Sequence, residues 1–120
     1  MDIVNFGHFK VVNPNRHIIF YENEDGLDWY TLRAGLTTWT EQYGEFVDAV
    51  FGCFVTVNPD GIVIHVEYNP SRIVPDNKTV LGIDTDHKSV VKGMIWDGEK
   101  LLPPTKESLE VIGPPIENGV

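Results

Sequence analysis

Apolar positions in this chain come in short β-branched and aromatic runs divided by Gly, Pro, Asn and Asp, the pattern of strands and turns. The strongest instance is the run from Phe46 to Val57, followed by Asn58-Pro59-Asp60-Gly61 and a second run from Ile62 to Tyr68. It predicts a β-hairpin around which the rest of the chain packs. Pro59 suits the second position of a type I turn, and Gly61 supplies the left-handed residue that rejoins the returning strand. Residues 1–12 alternate loosely, with Val4, Phe6, Phe9, Val11 and Val12 as apolar members. After the turn Asn13-Pro14-Asn15, a strand over Arg16 to Glu22 is expected to pair with them. Further strands are predicted at Thr37 to Thr40, Val80 to Ile83 and Ser89 to Trp96. Asp97-Gly98 then turns the chain into Glu99 to Leu102. Only Trp29 to Ala34 reads as a helix, with Asp28 as N-cap and Gly35 as stop.

The expected fold is therefore mainly β. About eight short strands form a small antiparallel sandwich or barrel-like domain over residues 1–102, with one short helix. From Pro103 the composition changes, because Pro103-Pro104 and Pro114-Pro115 are four of the eight prolines. Residues 103–120 read as an extended proline-rich tail, in which Leu109, Val111 and Ile112 make one apolar patch suited to assembly.

Charge narrows the partners. Nine basic against 18 acidic residues leave a net charge of -9, and no three basic residues are consecutive. Nucleic acid and anionic membranes, which need a basic patch, are not expected partners. No run approaches the ~20 apolar residues of a membrane span, and no signal peptide is read at the start. Without that signal, Asn77-Lys78-Thr79 is a sequon by coincidence. Cys53 is the single cysteine. An intramolecular disulfide is thereby excluded, and its apolar setting reads as a small buried hydrophobe.

Catalytic patterns are missing. The acidic stretch Glu22 to Asp28 fails as an EF-hand: placing Gly26 at the invariant glycine puts Tyr21 and Leu32 where oxygen ligands belong. No Gly-x-Ser-x-Gly, phosphate-binding loop or paired-cysteine metal spacing occurs. His65, Glu67, Asp84, Asp86 and His87 are the best titratable group, and would complete a metal site only if the Ile83 strand lay beside His65. No enzyme activity and no cofactor are expected. Trp29, Tyr30, Trp39 and Tyr43 form an aromatic cluster in the sequence, the material of a sugar-stacking platform, a protein interface or a core.

The segment Gly93 to Pro104, with Trp96, the Asp97-Gly98 turn, Leu101 and Pro103-Pro104, resembles small bacteriophage tail-associated proteins. In that group an aromatic residue, an Asp-Gly or Asn-Gly turn, an apolar residue and prolines close a β-rich unit. The resemblance implies a non-enzymatic virion component: a fibre, baseplate or decoration subunit made in the bacterial host cytoplasm. It would form homo-oligomers or dock on other virion proteins. The alternatives are a receptor- or carbohydrate-binding module, a tail assembly chaperone, and, last, a small metal-dependent enzyme.

Overall fold

The computed structural model describes residues 2–12, 20–36, 38–40, 45–47 and 51–113, the strands at 38–40 and 45–47 by backbone alone. Along the chain lie β1 (Ile3–Val11), β2 (Tyr21–Glu22), α1 (Trp29–Ala34), β3 (Thr38–Thr40) and β4 (Glu45–Val47). There follow β5 (Cys53–Val57), β6 (Val63–Glu67), β7 (Lys78–Ile83), β8 (Ile95–Trp96), β9 (Leu101–Leu102) and α2 (Lys106–Ile112). Five strands form one sheet in the order β2-β1-β7-β5-β6, every pair antiparallel. β3 pairs with β4, and β8 with β9. The mainly β reading holds, in a sandwich-like form.

The hairpin turn forms as its residues dictate. Gly61 N–H donates to Asn58 C=O at 2.9 Å, Pro59 and Asp60 occupy the bend, and Gly61 has φ +84°. Asn58 Oδ1 accepts from the N–H groups of Asp60 and Ile62, which fixes the turn from inside. β5 is buried at all five positions because both faces of the sheet are covered. On one side Cys53, Val55, Val57, Val63, Leu81 and Ile83 meet Val90, with Met94, Trp96 and Leu101 laid over them. On the other, Phe54, Phe9 and Val80 meet Trp29 of α1 and Ile73, bordered by Phe6, Leu32 and Phe51. A strand covered on both faces has no polar side to show, so its sequence runs apolar without alternation.

The helix α1 begins and ends as expected. The Asp28 carboxylate accepts from Thr31 N–H at 3.1 Å, and the Gly35 N–H donates back to Leu32. β1 and β2 also pair as expected, Lys10 opposite Glu22 and Val11 opposite Tyr21. The Asn13-Pro14-Asn15 turn and the first part of that strand lie outside the described residues.

Four expectations need correction. First, Phe46 to Val57 is not one strand: Phe46 belongs to β4, and β5 begins at Cys53. Gly52, just before it, packs so closely on the Thr85 carbonyl that no Cβ fits there. Second, the middle of the sheet is β7, with β5 beside it and β6 at the edge. Third, Ser89 to Trp96 is a strand only at Ile95–Trp96. Gly93 at φ +95° turns the strip, which meets β6 through the Ile62–Ile95 bridge and two hydrogen bonds to Val63. Fourth, the tail is not extended throughout, since α2 occupies Lys106–Ile112 as a second helix.

The acidic loop has a structural task. β1 bulges between Asn5 and Gly7, and Gly7 takes φ +101° there. The main chain freed by the bulge is met by loop side chains. Asn23 Nδ2 donates to Phe6 C=O at 2.7 Å, and His8 N–H donates to Glu24 Oε1 at 2.9 Å. Hydrogen bonds from its own N–H and from that of His8 hold the Glu24 carboxyl below its ordinary value of 4.5. A depressed carboxyl stabilises the fold above its unfolded pKa, and the contribution is lost as pH falls through the folded pKa. Acidification past the ordinary carboxyl range should therefore loosen this loop in the wild type. Glu24→Gln should remove most of that pH dependence. Hydrogen exchange of His8 N–H between pH 6 and pH 3 checks it, and equal pH dependence in both proteins would count against the clamp.

Candidate docking groove

Thr105 and Ser108 start α2 by a reciprocal cap. Ser108 N–H donates to Thr105 Oγ1 at 3.1 Å, and Thr105 N–H donates to Ser108 Oγ at 2.8 Å. Gly113, at φ +78°, ends the helix and donates to Glu110 C=O. Of the seven helical residues only Ser108 is buried. The helix therefore rests on the domain by one edge. Leu109 and Ile112 lie over Gly93: a Cβ there would stand 2.8 Å from Leu109 Cδ2 and 3.6 Å from Ile112 Cδ1.

Between α2, the strip at 87–92 and Val66 of β6 runs an open groove. Val66, Val90, Val91, Pro104, Leu109 and Ile112 supply its apolar surface. Leu109 is 46% exposed and Val91 51%, large fractions for apolar side chains that line a concavity. His87, Lys92, Lys106 and Glu110 supply its charge-bearing rim. Among the described residues the ion pairs are His65 Nε2 to Glu67 Oε1 at 3.7 Å and His87 Nδ1 to Asp86 Oδ1 at 3.6 Å. Neither involves a lysine, so among the described residues Lys92 and Lys106 form no ion pair, although Glu110 follows Lys106 one turn along α2.

The groove brings together part of the patch read from the sequence. Leu109 and Ile112 line it, while Val111 is 52% exposed and does not. The residues contributed by β6 and the 87–92 strip were not foreseen. The missed signal is local: Thr105 and Ser108 at cap spacing after Pro104, then Leu109 and Ile112 three apart, and Gly113 at the stop.

The aromatic cluster is not one surface. Trp29 is fully buried, edge-on to Phe9 with centroids 5.5 Å apart and to Phe6 at 6.2 Å. Its neighbour Tyr30 faces outward beside Phe20, with the Arg33 guanidinium 4.5 Å from its ring centroid. The side chain of Trp39, in β3, and all of Tyr43 lie outside the described residues.

The titratable group is also divided. β7 pairs with β1 and β5, so β5 stands between Asp84 at the end of β7 and His65 on β6. His87 instead lies against the Tyr68 ring at 5.3 Å. Among the described residues no three metal-ligating side chains converge. Cys53 is buried, and burial first, then the Asp86 charge, pushes its thiol up to about 11. A thiol so placed carries almost no thiolate at neutral pH and is a packing residue.

No protein-family model matches the sequence, and no curated protein is significantly similar to it. Among the described residues no helix is long and apolar enough to cross a membrane.

Proposed function

We propose that the protein is a non-enzymatic interaction protein, which joins a larger assembly through α2 and the groove beside it. The observation that carries this reading is the apolar surface left open there, on a helix that buries only Ser108 of its own. Concave apolar surface with a polar rim is the composition of protein interfaces. The particular assembly proposed is a bacteriophage particle, in which the protein is a tail fibre, baseplate or decoration subunit; the Trp96 to Pro104 resemblance supports this. Its partners are other virion proteins, with self-association as the second mode. A glycan-binding role is the weaker reading, since Trp29 belongs to the core.

The test uses the full chain and the phage that encodes it. Mass spectrometry of purified particles should find the protein in fixed proportion to a tail protein. That protein, purified, should co-elute with the full chain in size exclusion with light scattering. Leu109→Asp should lose the co-elution while β5 and β7 keep their amide protection in hydrogen exchange. Absence from the particle with binding retained would make it an assembly chaperone. Binding unchanged by Leu109→Asp would overturn the groove as the contact.

A further inference from the structure

We infer that the groove takes a short acidic and apolar segment of an unlike protein, a stretch in which Leu- or Ile-like residues are interspersed with Glu or Asp. This rests on the docking role proposed above and adds the chemistry of the partner. Charge carries the argument. The whole chain holds 18 acidic residues against nine lysines and arginines, yet the groove lining holds Lys92 and Lys106 against Glu110, and its His87 already faces Asp86. The two lysines form no ion pair among the described residues, so their charge is available to an incoming group. They flank apolar surface from Val66, Val90 and Leu109. A segment that matches both must place carboxylates beside apolar side chains.

A second copy of this chain fits poorly. Two bodies of net charge -9 repel on approach. An acidic segment of another protein meets that field only beyond the rim. There salt screens it within about 8 Å at physiological ionic strength, while the lysines act at contact. Nucleic acid offers the charge without side chains to fill the apolar surface.

Four fluorescein-labelled octapeptides test the inference against the full chain by anisotropy: alternating Leu-Glu, Leu-Lys and Ser-Glu, and a Leu-Ser control. Leu-Glu should bind most tightly. Lys92→Glu with Lys106→Glu should weaken it about fivefold to tenfold, the expected size for two exposed charge contacts. The same double variant should strengthen Leu-Lys. Leu109→Asp should abolish binding of Leu-Glu. Both lysines are exposed, so the charge reversal should leave the thermal midpoint nearly unchanged. Equal binding of Leu-Glu and Leu-Lys, or binding of Ser-Glu as tight as Leu-Glu, would overturn the inference, as would no binding of any peptide. If the charge preference fails while Leu109→Asp still blocks co-elution with the tail protein, the docking role stands and only the partner chemistry falls. Self-association of the full chain through Leu109, seen by light scattering, would overturn the unlike partner.

Discussion

Gly82→Val is expected to destabilise the domain by about 3 kcal/mol, the upper part of the usual range for overpacking a core. Gly82 sits in β7, the middle strand, opposite Val4 on one neighbour and Phe54 on the other. A Cβ there would stand 2.8 Å from Phe6 Cε2 and 2.9 Å from Phe51 Cδ2. Both rings are half-buried, so making room means turning them away from the core and toward solvent. Phe6 packs edge-on against Trp29 and Phe51, and Phe51 against Phe54. The two rings close over the space a side chain would fill, which offsets the entropy a glycine costs within a strand. In urea the midpoint should fall by about 1–2 M. Gly98→Ala serves as the comparison: its Cβ meets nothing within 4 Å, and φ of +102° alone is the penalty. That strain is worth about 1 kcal/mol. Equal midpoints for wild type and Gly82→Val would mean that the rings do not pack as described.

Gly93→Val should displace α2 and leave the sheet standing. The position combines φ of +95° with the 2.8 Å approach to Leu109, so a branched side chain is both strained and in the way. The helix has little to resist with, since it buries Ser108 and little else. A seven-residue helix released from its support does not persist alone in water. Hydrogen exchange should show amide protection lost across Lys106–Ile112 while β5 and β7 keep theirs. Partner binding should fall at least about tenfold. Retained protection over α2 would refute the packing of Leu109 on Gly93.

What could be read from the residues alone was what neighbours in sequence decide. The Asn58 to Gly61 turn, the Asp28 and Gly35 ends of α1, and the Asp97-Gly98 hairpin all follow from side chains within four positions of the backbone they fix. Strand order did not follow. Nothing local says that β7 pairs with both β1 and β5, and that pairing is what parts Asp84 from His65. The break before β5 was hidden because Gly52 answers to the Thr85 carbonyl, far along the chain. For α2, four prolines outweighed a cap made by Thr105 and Ser108, whose Ser stands where Glu or Gln is commoner. The groove was illegible for the same reason as the sheet order. Val66, Val91 and Leu109 meet only after three separate stretches have folded.

The two sides of the sheet have a further meaning for how such molecules accumulate. An open strand margin invites another chain to continue the hydrogen-bond ladder, which is the route to fibrils. Here β2 is two residues long, and Asn23 and Glu24 occupy the β1 main chain that the bulge frees. At the opposite margin the strip around Gly93 to Ile95 lies along the start of β6. Among the described residues both margins of the five-stranded sheet are thus partly closed. Crowding many copies together should yield discrete particles joined by side chains, and not a continuous β-filament.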